Sequence, residues 1–250
     1  MHFEVIGQEG PALVLLHGWG QSLESLKPLA HLLAHNRQVY LFDLPGFGKS
    51  TPPDETWDSF QYADHIKEKM TTLGVKQFSL LGHSFGGKVA MSLAMKYPDA
   101  VQNLVLVAAS GLKRKRSVQA GIRFYAVRSL GKLLKCYDKI SNAKSFEKYF
   151  IPRFGSADYK RAGAMRAILV KSVNEDFAKQ FEEKAIVAPT LILWGEQDQE
   201  TPKDMAMRLH DMIASSKLYI FPHKDHYVFQ ECGSHLCAYY IRSFLRGSNG

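Results

Sequence analysis

Cysteine is scarce in this sequence: Cys136, Cys232 and Cys237 are the only three among 250 residues. So small, odd and scattered a set supplies neither a disulfide framework nor a thiolate zinc site, and it reads as ordinary thiols of a reducing compartment. Long apolar runs are missing as well. No stretch approaches the ~20 consecutive apolar residues of a membrane-spanning helix. The segment Met1-His2-Phe3-Glu4-Val5-Ile6-Gly7 has neither a charged leader nor a long apolar core. A soluble, cytoplasmic protein is the expectation. There is no internal repeat and no low-complexity tract, which excludes a solenoid. Gly46-Phe47-Gly48-Lys49-Ser50 ends like a phosphate-binding loop, yet Asp43 stands where that loop needs its first glycine and Pro45 stiffens the turn. The pair His31 and His35 lacks the intervening glutamate of a metalloprotease helix. Nucleotide binding, a bound metal and any other cofactor are therefore not expected.

What the chain does have is enough apolar material for a large core, 46% of its residues, which fits one domain with one sizeable insertion. Its charge is uneven. The formal net charge is +8, but residues 111–188 hold 18 Lys and Arg against 7 Asp and Glu, while the remainder holds 14 against 17. The basicity belongs to one region and predicts a positively charged surface there.

Short, apolar, β-rich runs alternate with helical patterns through the first third, the habit of a parallel sheet covered by helices. Residues 12–17, 38–43, 77–82 and 103–109 read as buried strands; residues 22–35, 59–73 and 84–97 read as helices between them. The rhythm breaks after Ala109. Residues 111–186 contain helical patterns alone and form an expected helical lid inserted into a core of residues 1–110 and 187–250. In the lid, Val118, Ile122, Tyr125, Ala126, Leu130, Leu133 and Leu134 recur at helical spacing and predict a packing face, beside a basic stripe of Arg128, Lys132, Lys135 and Lys139. A second lid helix is expected from an N-cap at Ser156 through Met165, Ile168 and Leu169 to Val173. Strand, helix and strand then resume over residues 190–195, 204–213 and 218–221, with a final helix near 234–245.

Gly82-His83-Ser84-Phe85-Gly86 joins an expected strand to an expected helix. A serine at such a turn is held strained with its hydroxyl exposed, and small residues two before and two after let strand and helix approach. A serine hydroxyl needs a base to take its proton and an acid to orient that base. Asp198 follows the strand at 190–195, with Glu196 and Glu200 as alternatives. His226 follows the strand at 218–221, with His223 as its competitor; Tyr227-Val228-Phe229 after His226 supplies an apolar anchor. Ser84 as nucleophile, Asp198 as acid and His226 as base give the Ser, Asp, His order of such sites. Two amides are expected to face the oxyanion, that of Phe85 at the helix start and that of Trp19 in His17-Gly18-Trp19-Gly20.

Taken together, His17-Gly18-Trp19-Gly20, the Asp43–Ser50 segment, Gly82–Gly87, Gly195-Glu196-Gln197-Asp198 and His226 resemble the α/β-hydrolase superfamily, over nearly the whole chain outside the lid. The resemblance implies an α/β fold with a mostly parallel sheet flanked by helices, and a cofactor-independent serine esterase acting on a small-molecule ester, thioester or acyl substrate. The His-Gly-Trp-Gly loop is similar to that of carboxylesterases cleaving the methyl ester of pimeloyl carrier protein, which implies an acidic acyl-carrier protein as partner for Arg128, Lys132, Lys135 and Lys139, and no nucleic acid; an anionic membrane surface is the alternative, because the same helix is amphipathic. Lys113, Arg114, Lys115 and Arg116 would add to that surface. His83 and Phe85 are also similar to the elbow of carbon–carbon bond hydrolases of ring-cleavage products, which would use Arg123 or Arg166 on a substrate carboxylate. A ligand receptor that retains a hydrolase triad is the non-enzyme alternative. Ser84 speaks against the dehalogenase and epoxide-hydrolase branches, which use an aspartate there. Phe124, Tyr125, Arg166, Ile168 and Leu169 are the expected substrate-lining residues of the lid.

Overall fold

The computed structural model describes residues 1–115 and 118–247. They fall into two compact units, Met1–Lys113 with Lys171–Gly250, and Arg114–Val170. Residues 171–186, which the sequence reading places in the insertion, group by contact with the first unit.

The first unit is built on a seven-stranded sheet: β1 Phe3–Ile6, β2 Ala12–Leu16, β3 Gln38–Phe42, β4 Phe78–His83, β5 Val101–Val107, β6 Thr190–Gly195 and β7 Ser216–Phe221. Their spatial order is β1-β3-β2-β4-β5-β6-β7. β1 pairs antiparallel with β3 and every other pairing is parallel. β2, β4 and β6 are buried at every position, as strands covered on both faces must be. β1 and β7, at the edges, are partly exposed.

Helices α1 Lys27–Leu33, α2 Ser59–Thr72 and α3 Phe85–Lys96 connect the early strands. α2 starts where a capping box satisfies its first amides: Asp58 accepts from the amides of Phe60 and Gln61, and Gln61 accepts from that of Asp58. The continuous helix expected over 22–35 is instead α1 with a 3₁₀ turn on either side; Pro28, which has no N–H to give, sits in the first turn of α1. α8 Phe177–Glu183, α9 Lys203–Met212 and α10 Gly233–Gly247 complete the unit. Along the chain, strand order reverses between β2 and β4, so the loops after those two strands meet at a topological switch point, where open α/β sheets place their sites.

The second unit contains α4 Val118–Ser141, a π-helical turn Phe146–Phe150, α5 Ile151–Phe154 and α6 Ala157–Arg161; α7 Arg166–Asn174 begins in it and ends in the first. Ser156 caps α6 through the amide of Tyr159, but Gly163, at φ +50, interrupts the single helix expected over 156–173. The expected packing face of α4 is a clear departure. Val118, Ile122, Tyr125, Leu130 and Leu133 are exposed, Ala126 is exposed too, and Leu134 alone of that set is half-buried. The inner side of α4 carries Gly131 instead, against which the rings of Phe146 and Phe150 pack. Helical spacing identified a stripe, but spacing does not say which side meets the protein.

Candidate active site

The elbow forms because two glycines let β4 and α3 close on each other. A Cβ on Gly82 would lie 2.3 Å from the carbonyl oxygen of Gly86, and one on Gly86 would lie 2.2 Å from that of Leu16. Between them Ser84 has φ 50 and ψ −112, outside the usual regions for a residue with a side chain. Its backbone is over-determined: its amide donates to Val107 O at 3.1 Å, and its carbonyl accepts from the amides of Lys88 and Ser110 at 3.2 and 3.0 Å. The Ser84 side chain gives α3 no cap and is half-buried. The Phe85 amide therefore opens α3 among donors that have no acceptor within the helix.

Asp198 and His226 are brought together, both buried. His226 Nδ1 lies 2.8 Å from Asp198 Oδ2. The carboxylate is fixed on its other sides: Thr201 Oγ1 donates to Oδ2 at 2.8 Å, and the amides of Glu200 and Thr201 donate to Oδ1 at 2.8 Å each. Trp194 Nε1 holds the same loop through Thr201 O at 2.6 Å. This pattern assigns the Nδ1–H tautomer to His226 and leaves Nε2 as an acceptor. Glu200 is on the other side of the ring, its Oε2 3.5 Å from Nε2 and its side chain exposed; Glu196 reaches Lys203 at 3.6 Å. His223 is exposed at a turn with φ 58, whereas Val228 and Phe229 after His226 are buried in the core.

The acid and histidine loops are zipped by backbone. Glu196 N donates to Phe221 O and Gln197 N to Lys224 O, at 3.0 and 2.8 Å. Gly195 is needed at their crossing, because a Cβ there would stand 2.1 Å from Asp225 O and 2.4 Å from Lys224 O. Gly195→Ala should therefore separate the loops, destabilise the fold by about 1–3 kcal/mol and lower turnover of any reaction that uses Asp198 and His226. Thermal unfolding and steady-state rates measure both, and wild-type values for both would contradict this geometry.

Two further histidines, given no role by the sequence reading, brace this arrangement. Buried His17 donates from Nδ1 to Gly18 O at 2.8 Å and accepts from Leu44 N at Nε2, 3.1 Å away, which ties the Trp19 loop to the loop after β3. Buried His83 donates from Nε2 to His226 O at 3.2 Å, with its ring 4.8 Å from that of His226 and 4.6 Å from that of Phe229. Burial lowers the pKa of both, and for His83 the neighbouring His226 lowers it further. The sign follows: above the ordinary value of 6.5 both states are neutral and the packing is at full strength. As pH falls below it the unfolded chain takes up protons that the folded one refuses, so stability is lost. The unfolding midpoint should drop between about pH 7.5 and pH 5, and His83→Asn should flatten that drop; an unchanged slope in the variant would contradict it. Buried Lys88, also unassigned before, donates to Ser172 O and pairs with Glu175 at 3.5 Å, while Glu175 accepts from Ser59 N; together they fasten the N-terminus of α2 and the end of α7 to α3.

Trp19 is half-buried, its ring 4.8 Å from Phe47 and 5.4 Å from Phe85, and Gln21 closes its loop from both sides of Gly18. The Asp43–Ser50 segment is scaffolding: Asp43 accepts from the amides of Leu23 and Lys49 at 2.8 Å each, and Ser50 Oγ donates to Asp43 O at 2.7 Å. In the second unit Phe124 and Tyr125 are exposed on α4, Ile168 and Leu169 are buried, and Arg166 faces Glu147 at 3.6 Å with its guanidinium over Tyr159. Lys113, Arg114 and Lys115 are exposed, and Arg116 lies outside the described residues. Among the described residues there is no cluster of three His, Cys, Asp or Glu side chains able to hold a metal, and no helix long and apolar enough to cross a membrane.

Known proteins agree with this architecture. The profile of the α/β hydrolase fold family matches residues 11–121, from the residue before β2 to the first residues of α4. An esterase of Thermogutta terrifontis superposes over 100% of this chain and 94% of its own, with a TM-score of 0.72 at 22% identity. The chain has the α/β-hydrolase fold. Among curated relatives, a fluoroacetate dehalogenase of a Burkholderia species is 39% identical over 108 residues, which is 41% of this chain and 36% of that protein. A 2-hydroxy-6-oxononadienedioate/2-hydroxy-6-oxononatrienedioate hydrolase of Escherichia coli is 28% identical over 254 residues, 91% of this chain and 84% of that one.

Proposed function

We propose that this α/β hydrolase is a serine esterase that cleaves a carboxylic ester or thioester through an acyl-enzyme on Ser84. The observation that carries the reading is the buried Asp198–His226 contact of 2.8 Å, in the same unit as a serine held at positive φ between β4 and α3. His226 Nε2 takes the Ser84 proton as Oγ attacks the carbonyl carbon. Asp198 keeps the proton on Nδ1 and stabilises the imidazolium. The amides of Phe85 and Trp19 face the resulting oxyanion. His226 then gives its proton to the leaving alcohol or thiol, and the same ring deprotonates the water that releases the acid. No bound cofactor enters these steps.

A carbon–carbon bond hydrolase is the second reading, favoured by the similarity to the E. coli dienedioate hydrolase over most of the chain. It would need a cation for a substrate carboxylate, and Arg166 already faces Glu147. Identity to the dehalogenase is confined to part of the chain, and Ser84 in place of an aspartate speaks against that chemistry. A p-nitrophenyl ester series of increasing acyl length, run beside a dienedioate ring-cleavage product, separates the readings. Turnover of esters with a clear optimum in chain length is expected. Turnover of the ring-cleavage product alone would replace the ester reading, and binding without turnover of either would indicate a receptor.

A further inference from the structure

The second unit carries two features that ester hydrolysis on Ser84 does not use. Arg114–Val170 holds fourteen Lys and Arg against three Asp and Glu. Two of the three acids are engaged inside the unit: Asp138 accepts from the amides of Ser145 and Phe146 at 2.9 and 2.7 Å, and Glu147 faces Arg166. The second feature is the outer side of α4. Val118, Ile122, Tyr125, Leu133 and Ile140 are spaced to fall on one side of a helix about 36 Å long, and they are 80%, 67%, 65%, 68% and 84% exposed. Such an apolar stripe, broken only by the exposed Ser129, is unfavourable in water unless something covers it.

Immediately beside that stripe run Arg128, Lys132, Lys135 and Lys139, all exposed. Beyond them, on the inner side, a cavity of about 420 Å³ is walled by Phe146, Phe150 and Phe154 and rimmed by three of the same cations, Arg128, Lys132 and Lys135. Lys135 Nζ lies over the Phe146 ring at 4.5 Å. Apolar surface, a parallel row of cations and an apolar cavity under those cations together match an amphiphile with an anionic head. An acidic soluble protein would use the cations and leave the apolar stripe in water.

We propose that Arg114–Val170 docks the protein onto an anionic lipid bilayer, with Val118, Ile122, Leu133 and Ile140 of α4 at the boundary of headgroups and acyl chains and Arg128, Lys132, Lys135 and Lys139 on the lipid phosphates. The helix lies in the plane of the interface, as amphipathic helices with cationic flanks do. Attraction is short-ranged and salt-sensitive, adding roughly fivefold in affinity per cation at the surface.

The test is sedimentation of the full chain with vesicles of phosphatidylcholine containing one third phosphatidylglycerol, and with phosphatidylcholine alone, alongside soluble polyglutamate. Binding to the anionic vesicles is expected, weakened at least about a hundredfold by the triple reversal Arg128→Glu, Lys132→Glu, Lys139→Glu. Ile122→Gln with Leu133→Gln and Ile140→Gln, changes at exposed positions, should weaken vesicle binding at least tenfold and leave polyglutamate binding unchanged. Leu133→Trp should shift its emission to the blue on anionic vesicles and be quenched by bromolipid. Circular dichroism confirms folding of each variant. Three outcomes overturn the proposal: no vesicle binding at low salt, binding that is indifferent to the glutamine substitutions (an acidic protein as partner), or a wild-type dimer that those substitutions convert to monomer (a second copy on the stripe).

Discussion

Ser84→Ala is expected to lower ester kcat by about 10⁴ or more, with the fold intact. The backbone at Ser84 is held by hydrogen bonds from its own amide and to its carbonyl, and these do not involve the hydroxyl. Alanine therefore keeps the turn while removing the atom that forms the acyl bond. His226→Ala should cost as much, since without Nε2 nothing takes the serine proton, although it also empties a buried site and should lower the unfolding midpoint. Residues that act as a unit are not additive, so the double variant should be scarcely worse than either single one. A Ser84→Ala enzyme with near-wild-type kcat, well folded by circular dichroism, would remove Ser84 from the mechanism.

Asp198→Asn should be nearly as damaging, a loss of about 10⁴ in kcat. Asp198 Oδ2 accepts from both His226 Nδ1 and Thr201 Oγ1 at 2.8 Å. An amide nitrogen at that place donates, which turns the imidazole to the tautomer with its proton on Nε2, where the serine proton must go. Glu200→Gln should do little, because its exposed carboxylate lies 3.5 Å from Nε2 and does not support Nδ1. The comparison is informative as a pair: an active Asp198→Asn with a dead Glu200→Gln would reassign the acid.

The parallel strands were legible because strands covered on both faces read as short apolar runs with few alternatives, and residues 12–17 and 190–195 are of that kind. β1 was not read: Phe3–Ile6 has four residues at a half-exposed edge, too short for any period to register. The elbow was legible because its glycines are fixed by close approach of backbone, a requirement that leaves a spaced pattern. Thr201, His17 and His83 left no such mark. Each acts through hydrogen bonds set by tertiary packing, and a lone buried histidine reads the same whether it braces a loop or fills a core. The α4 stripe failed in the opposite way. Its period was plain, but the side that packs offers Gly131 to two phenylalanine rings, and a glycine adds nothing to a hydrophobic pattern.

The central claim, a covalent acyl-enzyme on Ser84, is tested most directly by acid-quenching the enzyme with a p-nitrophenyl ester during turnover and mapping the peptides by mass spectrometry. The account predicts the acyl mass on the peptide containing Gly82-His83-Ser84-Phe85-Gly86, localised to Ser84, and its absence from the Ser84→Ala protein. An acyl group found on another side chain at full occupancy, or steady turnover with no acyl group on Ser84 in a quench that traps a known serine esterase, would contradict it.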